Sequence, residues 1–276
     1  MRINTLIRGT LPRTMIIAGW GTPQQQQNKE TAMRNTLFMT KTTLVVFCLC
    51  LGLITGNCIA KESNKKEATG WTDSFNLQEC SFSTIGKTKY FILEPGYQLT
   101  LEGIDGKDSV KLVIAVLNET QKIGDTETRI VEEKETVNGE ITEVSHNFYA
   151  ICTQINSVFY FGEDVDIYID GKIIDHSGSW RTDSGNAKAG LMMPGMILLG
   201  AKYYQEIAPG IAMDRAEIIS TTETLQTTAG KFEGCLKTEE TSSIEPKSKE
   251  YKFYAPGIGL LKDGELLLTK YGYIKE

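Results

Sequence analysis

The chain has 276 residues, of which 35 are acidic and 29 are basic. Six of the basic residues but only one of the acidic residues lie among the first 60, so residues 61–276 carry a net charge of about −11. This charge argues against nucleic-acid binding, which needs a basic face to displace counterions. It also argues against adsorption to anionic membrane surfaces. The length allows one large domain or two small ones.

Residues 41–60 read K-T-T-L-V-V-F-C-L-C-L-G-L-I-T-G-N-C-I-A. A basic start, an apolar run and a small residue at Ala60 are typical of a secretory signal. The 11 residues of the run, Leu44–Ile54, fall short of the roughly 20 that a membrane-spanning helix needs. We therefore expect cleavage after Ala60, a periplasmic or extracellular location and no stable transmembrane anchor. Lipid anchoring through Cys58 is the less favoured alternative, because T-G-N before it fits the required small-residue pattern poorly.

The sequence predicts four parts. Residues 1–38, which include a glutamine tract at 24–27, are interpreted as an over-extended start or as a disordered extension. Residues 39–60 form the signal peptide. Residues 61–75 are mostly polar, and we expect a disordered leader there. Residues 76–276 are predicted to form a β domain.

Alternating apolar and polar residues separated by turn signals dominate the predicted β domain. Asn138-Gly139 lies between two extended runs and is the strongest hairpin signal, and Asp170-Gly171 and Asp263-Gly264 mark two further hairpins. The pattern predicts ten to twelve strands and few or no helices after the signal. The fold class is mainly β, an antiparallel curved sheet or an open barrel-like fold. Similar Pro-Gly turns at Pro95 and Pro194 suggest two related halves.

Three further stretches are predicted from composition and local pattern without a clear hairpin signal. Residues 177–196 are rich in Gly and Ser and end in L-M-M-P-G-M, which predicts a long loop without a regular element. Residues 151–162 are predicted as one extended, aromatic-rich run. Residues 213–220 and 221–226 are predicted as two separate strands.

Three cysteines follow the signal: Cys80, Cys152 and Cys235. An exported chain meets an oxidising compartment, so we expect one disulfide and one remaining thiol. The sequence does not choose among the three pairings. Buried free thiols are an equally good interpretation of Cys152 and Cys235, which lie in apolar runs.

The sequence contains few residues typical of catalytic sites. With only two histidines, His146 and His176, most zinc sites and hydrolytic triads are excluded, and we predict no catalytic residue. Acidic residues cluster around the hairpin at Glu163, Asp164, Asp166 and Asp170. Their spacing does not fit the twelve-residue calcium loop, so no metal and no cofactor is expected.

Aromatic-rich strands and a Met-rich segment at Leu191–Met196 indicate a concave apolar face, since methionine suits adaptable binding surfaces. Filling of a sheet core is the alternative role for such residues. The predicted ligand-binding residues are Tyr160, Trp180, Met192, Met193, Tyr204 and Tyr254.

Two C-terminal motifs carry a family resemblance. T-A-G-K-F-E-G-C-L-K at Thr228–Lys237 and Y-K-F-Y-A-P-G-I-G-L-L-K at Tyr251–Lys262 resemble the A-G-x-F … Y-A-P-G-x-G pattern of an uncharacterised family of exported bacterial β proteins. Y-F-G-E-D-V-D at 160–166 and G-S-W at 178–180 also look like that family. The resemblance implies an exported, mostly antiparallel β protein similar to the open, curved-sheet folds of periplasmic carriers. It implies no activity.

The sequence thus favours a non-catalytic exported β protein. It would bind a hydrophobic small molecule, a lipid or an envelope partner in its concave apolar face. One alternative is a secreted hydrolase that uses Glu163, Asp164 and Asp166, because paired carboxylates serve glycoside chemistry at the right separation. Another is a purely structural module of the cell envelope, which predicts no cavity.

Overall fold

A computed structural model describes residues 70–274 of the chain. The predicted N-terminal extension, the signal peptide and Cys58 lie outside these described residues. A short 3-10 helix spans Leu77–Glu79. In chain order, the strands are β1 Phe82–Ser83, β2 Gly86–Lys87, β3 Ile92–Leu93, β4 Tyr97–Asp105, β5 Asp108–Ile123, β6 Thr126–Val137, β7 Glu140–Cys152, β8 Ser157–Ile169, β9 Lys172–Asp175, β10 Trp180–Arg181, β11 Lys188–Met193, β12 Lys202–Tyr204, β13 Glu206–Ile207, β14 Asp214–Thr227, β15 Gly230–Ser242, β16 Lys249–Ala255, β17 Gly259–Asp263 and β18 Leu266–Tyr273.

The large sheet has the strand order β12-β14-β15-β16-β17-β18-β4-β5-β6-β7-β8-β11-β13, and all of these neighbours pair antiparallel. Strands β1, β9 and β10 add to β7 or β8 off this path, and β2 and β3 form a separate pair. The predicted fold class, mainly β with a barrel-like antiparallel sheet, is confirmed. One uninterrupted sheet contains both segments in which the sequence suggested related halves.

The two ends of the sheet meet in one short segment of chain. Strand β12 pairs with β14 and strand β13 pairs with β11, and only Gln205 separates β12 from β13. The backbone N–H of Gln205 donates to the carbonyl of Asp214 at 2.8 Å. The segment therefore joins both edges of the sheet and nearly closes it into a barrel, which removes most of the unpaired edge.

Alternation along the strands produces two apolar clusters on opposite sides of the sheet. The larger one fills the barrel and includes Leu101, Leu236 and Leu268. The smaller one lies on the outer face of β7 and β8 around Phe148 and Phe159. Residues of the N-terminal segment at 75–82 cover the smaller cluster, with Phe75 and Phe82 packed edge-on against the Phe159 ring.

Cys80 and Cys152 form a disulfide with a Cα–Cα distance of 5.1 Å. The bond ties the N-terminal segment to the end of β7. Cys235 is a buried free thiol. The structure therefore selects one of the three pairings that the sequence left open.

Several predicted boundaries are wrong, because strand pairing and a local turn override the sequence pattern. Residues 177–196 contain β10 and β11, and both pair with β8. Residues 151–162 are interrupted by a turn at which Asn156 takes a φ of 48°. Residues 213–226 belong to one long strand, β14.

The fold also begins earlier than the sequence predicts. The expected disordered leader extends to residue 75, yet the backbone of Thr72 pairs with Tyr203 and the ring of Trp71 packs against Tyr204. Aromatic residues in this short polar stretch give it surface to bury on the sheet. Between residues 70 and 274, no helix has both the length and the apolar character needed to cross a membrane.

Candidate ligand-binding site

Two adjoining cavities lie inside the barrel. One has a volume of about 70 Å³ and is mainly apolar. The other has a volume of about 110 Å³ and is mainly polar. Glu133, Tyr149, Met192 and Lys252 line both, so the two cavities meet at these four side chains. An apolar cavity and a charged cavity are therefore adjacent.

The apolar cavity is built by the inward-facing residues of β4, β5, β6, β16 and β17 and by the segment that leads into β4. Alternation places every second side chain of these strands inside the barrel. Such a wall suits the non-polar part of a ligand. Its main aliphatic and aromatic contributors are Tyr90, Leu99, Ile114, Val131, Tyr254 and Leu260.

The polar cavity is organised by hydrogen bonds between β6, β7 and β8. The side-chain amide of Asn147 donates to the carbonyl of Val131 at 3.2 Å and to the hydroxyl of Ser145 at 3.0 Å. The hydroxyl of Tyr160 donates to the side-chain oxygen of Asn147. The Tyr149 ring lies 4.6 Å from the Tyr160 ring. These contacts hold the wall of the cavity in one arrangement.

A bulge in β8 brings Glu163 into this cavity. Tyr160 and Glu163 are three residues apart, so a regular strand would place them on opposite faces. Asn147 pairs with Glu163 and Tyr149 pairs with Tyr160, which leaves one extra residue on β8. Gly162 lies in the bulge with a φ of 142°, and a Cβ there would lie 2.3 Å from the carbonyl oxygen of Trp180. Glycine therefore permits both the bulge and the close packing of β10.

Lys252 is the one Lys or Arg among the described residues that lines either cavity. Its Nζ lies 3.1 Å from a Glu240 oxygen and 3.7 Å from an Asp263 oxygen. Burial lowers the pKa of Lys252, but the Asp263 and Glu240 carboxylates outweigh it and hold this pKa well above its ordinary value. Glu240 also accepts hydrogen bonds from Tyr254 and Gln205 at 3.3 Å each. This group is therefore a charged, well-paired centre.

Three other carboxyl groups, of Glu163, Glu206 and Asp214, line the polar cavity from β8, β13 and β14. Burial, reinforced by the Glu143 carboxylate, raises the pKa of Glu163 to about 8. Burial and the neighbouring Asp214 and Glu163 carboxylates raise the pKa of Glu206 well above its ordinary value. Burial raises the pKa of Asp214 to about 6. Shared exclusion from water and mutual repulsion cause these shifts.

The described residues include no cluster of three or more His, Cys, Asp or Glu side chains with an arrangement that could hold a metal ion. Hydrogen-bond donors or a positively charged organic group suit the cavity carboxylates, because an ionised carboxylate only accepts hydrogen bonds.

The structure places the six predicted ligand-binding residues in different environments. Tyr160 lines the polar cavity, Tyr254 lines the apolar cavity and Met192 lines both. Trp180 packs edge-on against the Tyr160 ring at 5.2 Å.

The other two predicted residues are buried elsewhere. Met193 is buried in the barrel core. Tyr204 lies at the end of β12, where the barrel closes. It packs against Trp71 and beneath the Arg215 guanidinium. Lys252, Glu206 and Asp214 were missed, because charged residues spread over separate strands give no local signal.

The predicted acidic cluster is divided between the two faces of β8. Glu163 faces the interior, whereas Asp164 forms an ion pair with Arg181. Asp166 pairs with His176 at 2.8 Å. Alternation along β8 places Glu163 on one face and Asp164 and Asp166 on the other. Of these three carboxylates, only Glu163 therefore reaches the cavity.

Comparison with protein-family models, curated proteins and solved structures finds no match to this chain. The interior geometry and the chemistry of its side chains therefore carry the functional argument.

Proposed function

We propose that this protein is a non-catalytic binding protein that holds a small hydrophobic molecule with a polar group inside its barrel. The observation that carries the proposal is the adjacency of an apolar cavity and a polar one, which share Glu133, Tyr149, Met192 and Lys252 in their walls. A ligand that occupies both cavities would bury its non-polar part and keep partners for its polar part. Such a combination is typical of small-molecule sites. A purely structural module would need neither cavity.

The proposal includes export of the protein. The signal-like segment at residues 41–60 and the Cys80–Cys152 disulfide support it, because disulfides persist in oxidising compartments. The mass of the protein purified from its own host tests this part. A mature N-terminus at Lys61 is the expected result, and a chain that keeps residues 41–60 in the cytosol would contradict it.

Binding inside the barrel is tested with 1-hexanol, a neutral probe small enough for the two cavities. Calorimetry and thermal unfolding of the full chain should detect binding and a higher unfolding midpoint. Val131 is 2% exposed and lines the apolar cavity, so Val131→Phe should fill the space and abolish the shift. Lipids extracted from cell envelopes, added to the same assay, would identify natural candidates.

Val144→Phe is the matched control. Val144 is buried, but it alternates with Ser145, which lines the polar cavity, and therefore lies on the opposite face of β7. This variant should keep hexanol binding. Equal binding by wild type and Val131→Phe would show that the probe does not enter the barrel, and the proposal would be wrong.

A hydrolase remains the second candidate because of one observation, the Glu163 carboxyl with its pKa raised to about 8 inside a cavity. A protonated carboxyl at neutral pH suits a general acid. Its partner would have to be another interior carboxylate, since Asp164 and Asp166 are paired on the outer face. Hydrolysis of chromogenic glycosides by wild type but not by Glu163→Gln would favour this candidate over simple binding.

A further inference from the structure

The interior of the barrel is strongly unbalanced in charge. Lys252 is the single cationic side chain, among the described residues, that lines either cavity, and it is engaged by Glu240 and Asp263. The cavity walls carry six carboxyl groups, those of Glu133, Glu163, Glu206, Asp214, Glu240 and Asp263. Repulsion among buried carboxylates destabilises the fold unless they are protonated or meet a positive charge.

Buried polar groups near this site that lack a hydrogen-bond partner among the described residues include those of Glu206 and Tyr203. One carboxylate oxygen of Glu206, Oε2, is shielded from solvent in the wall of the polar cavity and is unpaired. The hydroxyl of Tyr203 is also unpaired, although this residue is only 3% exposed. Burial, reinforced by the Glu240 carboxylate, raises the pKa of Tyr203. An unpaired buried polar group is unfavourable, so a ligand that donates a hydrogen bond to it gains affinity.

The position of Glu206 is fixed by the closure of the barrel. It follows Gln205 in the segment that joins β14 to β11, and its strand partner is Ala189. A Cβ on Gly190 would lie 2.1 Å from the carbonyl oxygen of Gln205. Glycine at this position allows the segment to pass close to β11. The backbone of Glu206 is thus held in place at the point where the barrel closes.

We infer that the ligand of the proposed interior site carries a protonated amine, which is received by the carboxylates of Glu163, Glu206 and Asp214. The inference rests on the proposed function and specifies the polar group of its ligand. An ammonium supplies a positive charge and up to three N–H donors, which complements these carboxyl groups in their ionised form. The non-polar part of the ligand extends past Met192 and Tyr149 into the apolar cavity.

The size of the cavities limits this ligand. Their volumes of about 70 and 110 Å³ together are comparable to the roughly 150 Å³ cavity that holds benzene in another protein. A small aromatic amine or a short alkylamine fits such a space, whereas a two-chain lipid does not.

The test compares hexylamine, 1-hexanol and hexanoate, which share one alkyl chain and differ in the charge of the polar group. Calorimetry on the full chain at neutral pH should give binding of hexylamine about tenfold or more tighter than that of hexanol, because hydrogen bonds to charged groups are the stronger ones. Hexanoate should bind least. Equal affinities for hexylamine and hexanol, or tighter binding of hexanoate, would overturn the inference and leave interior binding intact. Failure of all three probes to bind would instead overturn the proposed function.

Variants separate the carboxylates from the rest of the cavity. Glu206→Gln should weaken the binding of hexylamine more than that of hexanol and so remove most of the preference for hexylamine. Glu163→Gln provides a second, independent measurement if the first variant does not fold. Glu140→Gln is the matched control, since Glu140 is exposed at a hairpin turn, and it should behave as wild type. An undiminished preference in both cavity variants would contradict the inference.

Discussion

Lys252 and Glu240 form an ion pair of 3.1 Å inside the barrel, with side-chain exposures of 23% and 12%. Removal of one partner of a buried pair leaves an uncompensated charge. We expect Lys252→Met to lower the free energy of unfolding by about 3 kcal/mol. Urea titration followed by circular dichroism measures this change.

The same two strands provide a control for this substitution. Lys249 pairs with Glu239 at 2.7 Å, but its side chain is 50% exposed. Exposed pairs contribute about 0–1 kcal/mol, so Lys249→Met should cost little. Equal losses in both variants would show that Lys252 is not an essential counter-ion in the barrel.

The interior carboxyls predict that stability depends on pH. Burial raises the pKa of Glu163 to about 8 and that of Glu133 to about 7, each from an ordinary value of 4.5. These groups hold protons more tightly in the folded state than in the unfolded state. Their contribution is therefore fully present below pH 4.5 and is lost as the pH rises to about 8. Unfolding free energies measured from pH 4.5 to pH 8 should decrease over this range.

Glu163→Gln tests the origin of the pH dependence. An amide has the shape of the protonated carboxyl but does not titrate, so the slope between pH 4.5 and pH 8 should become smaller. The exposed-site variant Glu140→Gln should keep the wild-type slope. A slope that is identical in all three proteins would mean that other groups cause the dependence.

The close approach at Gly190 predicts sensitivity to a single methyl group. Since a Cβ would lie 2.1 Å from the Gln205 carbonyl oxygen, Gly190→Ala must displace the segment that closes the barrel. We expect a loss of about 2–3 kcal/mol, in the upper part of the range for overpacked sites, together with weaker binding of hexylamine. Thermal unfolding and calorimetry would measure the two effects.

Gly171→Ala is the control for Gly190→Ala. Gly171 has a φ of 71°, and no atom lies within 4 Å of the position that a Cβ would take there, so only its turn conformation is affected. This change should cost about 1 kcal/mol and leave binding unaltered. A Gly190→Ala variant as stable as wild type would argue against the close packing of the Gln205 segment on β11.

The Cys80–Cys152 disulfide closes a span of 72 residues. Replacement of both cysteines by serine should lower the free energy of unfolding by about 2–5 kcal/mol.

Cys235 is buried, and burial raises the pKa of its thiol, so alkylation should reach it only after unfolding. Peptide mapping without reduction should then find Cys235 alkylated and Cys80 and Cys152 protected. Alkylation of Cys80 would contradict the pairing.

The sequence by itself determined the fold class and most hairpins of this protein. Period-two patterning and local turn chemistry act over a few residues, so Asn138-Gly139 and Asp170-Gly171 marked their turns correctly. Strands β10 and β11 were missed because their Gly-rich sequences are extended only by pairing with β8.

Only the tertiary structure decided the disulfide pairing, the closure of the barrel and the candidate site. Tyr160, Met192 and Tyr254 were predicted from their residue types, but the polar cavity depends on Glu206, Asp214 and other charged residues from separate strands. A bulge at Gly162 turns Glu163 inward while Asp164 remains outside. Which charges meet inside a barrel depends on strand order and register, and these are set by contacts far apart in the chain.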